Sequence, residues 1–400
     1  MKSTQFNLFG KRVLVTGGTG FIGGRLVERL VLECKADVRV LVRNFARAPR
    51  IARLPIEMVH GDVTDSGDVE RAVNGCEVVF HCAYGNQGNN EMRRLVNVEG
   101  SRNVLEAALH AGVKRVVHLS TLMVYGRNTP DGDFDETAPR RYSGAIYSDT
   151  KLDAEKIAFD YAEKHGLPVA VLQPTIVYGP LAPVWTVDVL HRFKTERVIL
   201  VSGGEGLCNA VYIDDAVSGI LLAAVKEEAV GEAFLISGER PVTWRDFFDR
   251  YARMLGDAQM VSMSATELLE AHYARKQRKT KGILRETLSI LREEPLIRQR
   301  LLRTSEVASL GKVARSLLPK QIRQSLRKRI GGSGKASQPQ TGPEGKKPMC
   351  PMSPLEVQFY VPKTRVRIDK AKRMLGYQPV FDLESGMKLT EQWARWANLL

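Results

Sequence analysis

One short stretch constrains the fold of this chain more than any other. Residues 13–23 read Val-Leu-Val-Thr-Gly-Gly-Thr-Gly-Phe-Ile-Gly. The leading apolar residues predict the end of a buried strand, the regularly spaced glycines predict a tight turn, and residues 25–32 predict an amphipathic helix. A strand, a glycine turn and a helix in this order direct a helix N-terminus at a phosphate group. We therefore expect an α/β fold with a dinucleotide site at this turn.

The spaced glycines have separate physical tasks in such a turn. Gly17 permits the sharp bend, Gly20 allows the backbone to approach a pyrophosphate, and Gly23 allows the helix to pack close to the strand. Glycines alone are also compatible with an ordinary loop, but the flanking strand and helix favour cofactor binding. The candidate cofactor-binding residues of the turn are Gly17, Thr19, Gly20, Phe21, Ile22 and Gly23.

The composition is that of a globular protein with room for one large α/β domain and a smaller lobe, or for two domains. The 400 residues are 44% hydrophobic and 26% charged. Residues 1–11 lack an apolar core, so we expect no secretory signal, and no apolar run is long enough to span a bilayer. The five cysteines form no C-x-x-C pair and no metal-ligand pattern appears, which predicts reduced thiols, no metal site and a cytoplasmic protein.

The net charge of +14 is concentrated in one segment. Residues 272–335 contain 18 Lys/Arg and 4 Asp/Glu, whereas the rest of the chain carries 41 of each. Apolar residues recur at helical spacing beside these charges, which predicts basic amphipathic helices. These helices either contact an anionic membrane surface or form an added lobe docked on the body, and both alternatives stay open. Nucleic-acid binding is disfavoured because aromatic residues are nearly absent from the segment after Tyr273.

The second predicted strand, residues 37–42, ends beside a basic residue. About 20 residues after such a glycine turn, an Asp or Glu would bind the ribose of NAD. Arg43 occupies that position and Arg47 follows it, and a guanidinium there can pair with a 2′-phosphate. We therefore expect NADP(H) as cofactor, with NAD as the alternative; a solvated surface arginine is the competing interpretation. Further along, Cys82 and Ala83 are small enough for a strand end that lies beneath a cofactor.

Three side chains in the middle of the chain suit the reduction of a carbonyl group. A predicted strand ends in Ser120 and Thr121, and Tyr147 and Lys151 lie four residues apart at the start of a predicted helix, on one face. A phenol with an ordinary pKa near about 10 is a poor acid at neutral pH. A neighbouring ammonium would lower that pKa, and the Thr121 hydroxyl can bind the same substrate oxygen.

Six motifs along the chain belong together. They are Thr-Gly-Gly-Thr-Gly-Phe-Ile-Gly from position 16, Ser-Thr-Leu-Met-Val-Tyr-Gly from 120, Tyr-x-x-x-Lys from 147, Pro-Thr-Ile-Val-Tyr-Gly-Pro from 174, Val-Tyr-Ile-Asp-Asp-Ala from 211, and Asp-Lys-Ala-Lys-Arg-Met-Leu-Gly-Tyr-Gln-Pro from 369. In this set the chain resembles the extended branch of the short-chain dehydrogenase/reductase superfamily, of the NAD-dependent epimerase/dehydratase kind. The resemblance covers the chain except about residues 258–355.

The resemblance implies a role for particular residues. In the resembled family, Asp62 would contact the adenine, Pro174 would turn the chain beside the nicotinamide, and Asn97 would brace the active-site strand. The implied catalytic residues are Thr121, Tyr147 and Lys151. The cofactor-binding residues expected outside the glycine turn are Arg43, Asp62, Val63, Cys82, Ala83, Tyr147, Lys151 and Pro174.

The sequence excludes some reaction types of this family but does not identify the substrate. Family dehydratases carry an acidic residue directly after the catalytic Ser/Thr, whereas Leu122 and Met123 stand here, so we expect no dehydration. Arg43 replaces the acidic residue by which family epimerases hold NAD. We expect hydride transfer at a carbinol or ketone carbon of a sugar nucleotide or related glycosyl compound, by an epimerase or reductase. The alternatives are an NADPH-dependent reductase of a lipophilic ketone, of the hydroxysteroid or dihydroflavonol type, and an NADP-binding protein without turnover.

The expected fold is a Rossmann-type doubly wound parallel sheet with a smaller carboxy-terminal substrate lobe and a basic helical insertion. Residues 1–173 would form the dinucleotide-binding domain, to which residues 211–230 return. Residues 174–210 and 231–400 would form the substrate lobe, with the insertion and a flexible loop at 258–355. We expect a small-molecule substrate, a homodimer and peripheral membrane contact through 272–335.

Overall fold

A parallel sheet of seven strands forms the centre of the structure, which is a computed structural model. It describes residues 7–256, 258–276, 348–349 and 352–400. The strands in chain order are β1 (Arg12–Thr16), β2 (Asp37–Val42), β3 (Glu57–His60), β4 (Val78–His81), β5 (Arg115–Leu119), β6 (Gly132–Phe134), β7 (Val169–Pro174), β8 (Ile176–Tyr178), β9 (Val198–Val201), β10 (Leu207–Cys208), β11 (Ala210–Tyr212), β12 (Ala233–Ile236), β13 (Val242–Thr243), β14 (Met260–Met263) and β15 (Thr364–Val366).

The strand order in the central sheet is β3-β2-β1-β4-β5-β7-β12, and every pair is parallel. Strands such as β4 and β7 are continuous apolar runs because both faces of the sheet are covered by helices. The order reverses between β1 and β4, and such a switch point opens a ligand crevice at the carboxyl ends of the strands. The predicted doubly wound parallel sheet is confirmed.

Helices cover both faces of the sheet. Helices α1 and α7 pack together on one face, and α2, α4 and α5 pack on the other. The helices are α1 (Phe21–Leu32), α2 (Ser66–Val73), α3 (Asn90–Arg94), α4 (Gly100–His110), α5 (Ile146–His165), α6 (Asp188–Thr195), α7 (Ile213–Val225) and α8 (Trp244–Met254), followed by residues 265–276 and by Pro354–Tyr360, Asp369–Leu375 and Leu383–Trp396. A π-helical turn, Leu95–Glu99, joins α3 to α4.

Short strand pairs build the smaller lobe beside the carboxyl edge of the sheet. They are β8 with β11, β9 with β14, β10 with β13 and β6 with β15. The lobe has an aromatic core in which Trp244 contacts Phe247, Phe248 and Phe359. Strand β15 comes from near the carboxyl end of the chain, so that distant residues complete this lobe.

One predicted boundary is wrong. The sequence places residues 231–400 in the substrate lobe, but β12 pairs with β7 as the seventh strand of the central sheet. The four residues of β12, Ala-Phe-Leu-Ile, are all buried, and an apolar run without alternation suits an inner sheet position better than a half-exposed lobe. The other predicted domain boundaries stay predictions.

Most of the predicted basic insertion lies outside the described residues. This holds for the apolar periodicity between residues 284 and 330, for the predicted flexible loop and for most of segment 272–335. Within the described part of the chain, no helix is both long and apolar enough to cross a membrane. The membrane contact predicted for residues 272–335 stays a prediction.

Candidate active site

The glycine turn between β1 and α1 packs directly on the end of β4. Gly17 has a positive φ of 72°, and a Cβ there would lie 2.7 Å from backbone atoms of Cys82 and Ala83. A Cβ on Gly23 would lie 2.3 Å from the carbonyl oxygen of Gly17. No side chain caps the N-terminus of α1, whose N-cap is Gly20. The uncapped amide groups of this first turn therefore suit the phosphates of a dinucleotide.

The remaining residues of the turn surround this helix N-terminus. Thr19 and Gly20 are exposed, and Phe21 and Ile22 are half-buried. Ile22 and Pro174 line a small apolar gap between the turn and the ends of β5, β7 and β12. The structure thus brings Pro174 to the same edge of the sheet as the glycine turn.

Arg43 and Asp62 lie at the ends of β2 and β3. Nη1 of Arg43 is 3.5 Å from Oδ2 of Asp62, and the Arg43 side chain is 60% exposed. Asp62 also accepts a hydrogen bond from the Thr64 amide at 3.0 Å, and Val63 is buried against Gly100. Arg43 therefore presents an exposed guanidinium at the cofactor edge of the sheet, held loosely by one carboxylate.

Thr121, Tyr147 and Lys151 meet at the carboxyl end of β5. Nζ of Lys151 donates to the carbonyl oxygen of Leu119 at 2.7 Å and lies 5.5 Å from the ring centroid of Tyr84. The ring of Tyr147 contacts the same Tyr84 ring edge-on at 5.1 Å, and the side chain of Thr121 acts to lower the pKa of its phenol. The structure brings the three predicted catalytic residues together, and their catalytic roles stay predictions.

Burial controls the protonation of this group. It lowers the pKa of Lys151 to about 8 and raises the pKa of Tyr147, whose rise is opposed by the hydrogen bond with Thr121 and by the charge of Arg127. The sequence predicts that the Lys151 ammonium lowers the Tyr147 pKa, whereas in this structure that ammonium is directed at the Leu119 carbonyl. The balance differs from the prediction because the site is more buried than helical spacing alone reveals.

Asn97 lies in the π-helical turn between α3 and α4 and is buried. Its Oδ1 accepts from the amide of Gly85 at 2.7 Å, and its Nδ2 donates to Oγ1 of Thr150 at 3.1 Å. The side chain therefore braces the loop after β4 against α5. The resemblance implied a brace on the active-site strand; the observed partners are this loop and the helix that carries Tyr147 and Lys151.

Sequence reasoning missed Glu155, which lies four residues after Lys151 on the same face of α5. This carboxylate is fully buried and accepts hydrogen bonds from Ser120 Oγ at 2.5 Å and from Gln173 Nε2 at 2.9 Å. Arg140 forms an ion pair with it. The signal was present in the sequence as an acidic residue that continues the spacing of Tyr147 and Lys151.

Sequence reasoning also missed a cleft that adjoins this site. The cleft holds about 440 Å³ of space, part of which is open solvent. Arg127, two residues after the 3₁₀ turn Leu122–Tyr125, lies in its wall. Its apolar walls come from Leu122, Met123, Ile176, Leu207, Trp244 and Phe359.

Two aromatic residues of this part of the chain belong to the core alone. Phe193 and Tyr212 are buried in the main hydrophobic cluster. Trp244 is equally buried but also lines the cleft. Trp185 is half-buried and stacks on Phe359, which is itself in the cleft wall.

Comparison with known proteins identifies the family. The model of the NAD dependent epimerase/dehydratase family matches residues 13–237, which is more than half of the chain. A 4-hydroxy-2-methyl-3-oxo-4-farnesyl-3,4-dihydroquinoline-1-oxide ketoreductase of Stigmatella aurantiaca is 30% identical over 242 residues, covering 59% of this chain and 71% of the relative. A 3 beta-hydroxysteroid dehydrogenase and isomerase of Mycobacterium tuberculosis is 30% identical over 256 residues, covering 59% of this chain and 67% of the relative.

Among solved structures, an epimerase of Methanothermobacter thermautotrophicus superposes with a TM-score of 0.66 at 20% identity, covering 98% of this chain and 95% of that chain. This likeness shows the fold alone. The predicted superfamily, the predicted nicotinamide cofactor class and the prediction of an enzyme are confirmed by the family. The chain belongs to the NAD dependent epimerase/dehydratase family and is one of its oxidoreductases.

Proposed function

We propose that this enzyme transfers a hydride between NADP(H) and the ketone or carbinol carbon of a lipophilic compound. The observation that carries the proposal is the apolar cleft whose wall begins with Leu122 and Met123, directly after Thr121. A cleft with such walls gains free energy mainly by burying apolar ligand surface. The names of the two relatives give a farnesyl-bearing ketone and a steroid as substrates, which supports the same substrate class.

Tyr147 is the proposed proton donor to the ketone oxygen. The Thr121 oxygen accepts from the Met123 amide at 3.3 Å, so that its proton remains available for the phenol or for the substrate oxygen. Lys151 lies one helical turn away and donates to the Leu119 carbonyl oxygen, whereas the charge of Arg127 favours the phenolate that remains after proton transfer. Reversal of the same steps would oxidise the carbinol.

The residues at the cofactor edge fit a dinucleotide. The uncapped N-terminus of α1 and the turn containing Gly17 and Gly23 would hold the pyrophosphate, and Lys151 would contact the ribose. Arg43 would pair with a 2′-phosphate, which favours NADP(H) over NAD(H). When bound, the reduced cofactor supplies the hydride to the ketone carbon, so the protein need only supply a proton.

The sugar nucleotide that the sequence puts first stays a prediction. A nucleoside diphosphate is strongly anionic, and among the described residues Arg127 is the only cationic side chain in the wall of the cleft. The apolar walls therefore favour the lipophilic-ketone alternative. The expected homodimer also stays a prediction.

The test is a comparison of substrate classes at saturating NADPH. NADPH oxidation would be followed with medium-chain and polycyclic ketones on one side and with UDP-hexoses and UDP-4-keto sugars on the other, and products would be identified by mass spectrometry. We expect turnover with the lipophilic ketones. Turnover confined to the sugar nucleotides would contradict the proposal and favour a sugar nucleotide or related glycosyl compound as the substrate.

A further inference from the structure

The polar groups in the wall of the cleft are mostly satisfied by one another. Nδ2 of Asn209 donates to the carbonyl oxygen of Thr364 at 2.9 Å, and its Oδ1 accepts from the Val366 amide at 2.9 Å. Oγ1 of Thr364 is bonded to Thr129 Oγ1 at 2.7 Å and to the Pro130 carbonyl at 2.7 Å. These groups fix the shape of the cleft and leave little hydrogen-bonding capacity for a ligand.

Two donors in the same wall have no such partner. Nε of Arg127 and Nε1 of Trp244 are buried and lack a hydrogen-bond acceptor within the described residues, and Trp244 as a whole is 2% exposed. In the part of the chain that the structure describes, Arg127 forms no ion pair with a carboxylate. Both side chains can only donate, and the guanidinium keeps its charge at any physiological pH. Because Nε is covered by protein atoms, a ligand in the cleft would meet the terminal amino groups of the Arg127 guanidinium, and an anionic oxygen there would neutralise its charge.

We propose that the substrate is a lipophilic oxo acid whose carboxylate is bound by Arg127 while its apolar part lies against the cleft walls. This inference rests on the proposed function, since it concerns the same site. A planar guanidinium suits a carboxylate because it can donate two parallel hydrogen bonds. A nucleoside diphosphate is the other source of anionic oxygens, and the experiments separate the two.

Arg127 also links ligand binding to the reacting phenol. Its charge acts on Tyr147 and favours the phenolate form. Pairing Arg127 with a carboxylate weakens that effect, which keeps the phenol protonated and ready to donate during reduction. The acid group of the substrate would then serve both for binding and for the protonation state of the site.

A binding experiment tests the inference without turnover. Calorimetric titrations of the full chain with saturating NADP⁺ would use decanoate and decanamide, which share the alkyl chain and differ in having a carboxylate or a neutral amide at the polar end. We expect Arg127→Gln to weaken decanoate binding about 30-fold and decanamide binding by no more than about threefold. Arg141→Gln, which alters an exposed arginine, should change neither. Equal loss for both ligands, or no loss for decanoate, would overturn the inference.

Two further measurements cover a variant that fails to fold and an alternative anionic ligand. If Arg127→Gln does not fold, Arg127→Lys keeps the cation and should still bind decanoate more tightly than decanamide; a preference for decanamide would overturn the inference. UDP is titrated in parallel. Tight UDP binding that is lost in the Arg127 variants, with no binding of decanoate, would assign the guanidinium to a diphosphate and also overturn it.

A turnover experiment separates failure of this inference from failure of the proposed function. A 3-oxodecanoate and its methyl ester would be compared as substrates with NADPH. We expect kcat/KM to favour the acid by about 30-fold in the wild type and to lose that preference in Arg127→Gln. Reduction of both at equal rates, unaffected by Arg127→Gln, overturns the oxo-acid inference but upholds ketone reduction. Reduction of neither, with Arg127-dependent decanoate binding intact, contradicts the proposed function but upholds the carboxylate site.

Discussion

The first two turns of helix α5 and its third turn present side chains on one face but use them in opposite ways. Tyr147 and Lys151 lie at the sheet edge, where Lys151 has one strong hydrogen bond to Leu119 and Tyr147 contacts Thr121 and Tyr84. Glu155, one turn beyond Lys151, is enclosed by hydrogen bonds from Ser120 and Gln173 and by an ion pair with Arg140.

The difference separates reactivity from stability along a single helix. Groups at the first two turns keep hydrogen-bonding capacity for a substrate or cofactor, which proton transfer requires. Groups at the third turn are saturated, and they extend through Gln173 to the Tyr125 hydroxyl at 2.9 Å, which fixes the turn that follows Thr121. We therefore expect substitutions at the first two turns to reduce turnover and substitutions at the third turn to reduce stability.

The largest effect is expected for Tyr147→Phe. Loss of the hydroxyl should lower kcat/KM by about 10³-fold, because a positioned proton donor contributes about 10²–10⁴-fold. Cofactor affinity and the midpoint of thermal unfolding should stay close to wild type. The measurements are NADPH oxidation with an identified ketone, cofactor titration by fluorescence, and circular dichroism.

The matched control is Tyr142→Phe, which removes a hydroxyl from an exposed tyrosine that donates to Asp153 at 2.7 Å. It should leave turnover unchanged. Near wild-type rates for Tyr147→Phe would assign proton transfer to another group. The distinction between reactive groups at the first two turns of α5 and structural groups at its third turn would then be lost.

Next in size is the pH dependence that Lys151 introduces. Burial lowers the pKa of Lys151 to about 8, against about 10.4 in an unfolded chain. Between these two values only the unfolded state binds the proton, so the free energy of unfolding should rise with pH in this window. Below about pH 8 both states carry the proton and the contribution of Lys151 is flat.

Urea unfolding of the wild type and of Lys151→Met at several pH values measures this contribution as a difference. The rise between about pH 8 and 10 should be smaller in Lys151→Met and unchanged in Lys164→Met, whose lysine is exposed. Identical pH profiles for the wild type and Lys151→Met would show that the buried amine does not titrate there.

Glu155→Gln tests the third turn. Removing the charge leaves Arg140 without its partner, and breaking a buried pair costs about 3–5 kcal/mol. Because Arg140 is partly exposed, we expect a loss of about 2 kcal/mol in the free energy of unfolding, measured in urea. Glu163→Gln, on the exposed side of the same helix, is the control. If Glu155→Gln were as stable as wild type but had lost turnover, the third turn would have a catalytic role and not the structural role assigned to it.

The smallest effect is expected outside α5, at Arg43. Arg43→Ala should weaken NADPH binding about tenfold and leave NADH binding unchanged, because only a 2′-phosphate pairs with this exposed guanidinium. Fluorescence titration of both cofactors measures it, with Arg53→Ala as the control for loss of an exposed charge. Equal affinities of the wild type for both cofactors would remove the preference for NADP(H).

Local pattern was enough to predict the parts of this site that depend on neighbours in the chain. The glycine turn followed from strand, turn and helix signals within twelve residues of Gly20, and the pair Tyr147 and Lys151 followed from helical spacing. Arg127 and the cleft could not be predicted in this way. Their significance depends on Thr364 and Phe359, more than two hundred residues away in the chain, which pack on the residues after Thr121.

The sequence by itself determined the nucleotide-binding fold, the family and the candidate site residues, because these depend on periodicity and on motifs with fixed spacing. Only the tertiary structure decided that β12 belongs to the central sheet, that Glu155 is saturated by Ser120, Gln173 and Arg140, and that Nε of Arg127 has no acceptor among the described residues. Each of these depends on which distant groups share a buried space. Burial then sets both the energetic cost of an unpaired charge and the pKa of Lys151, and neither can be obtained from spacing along the chain.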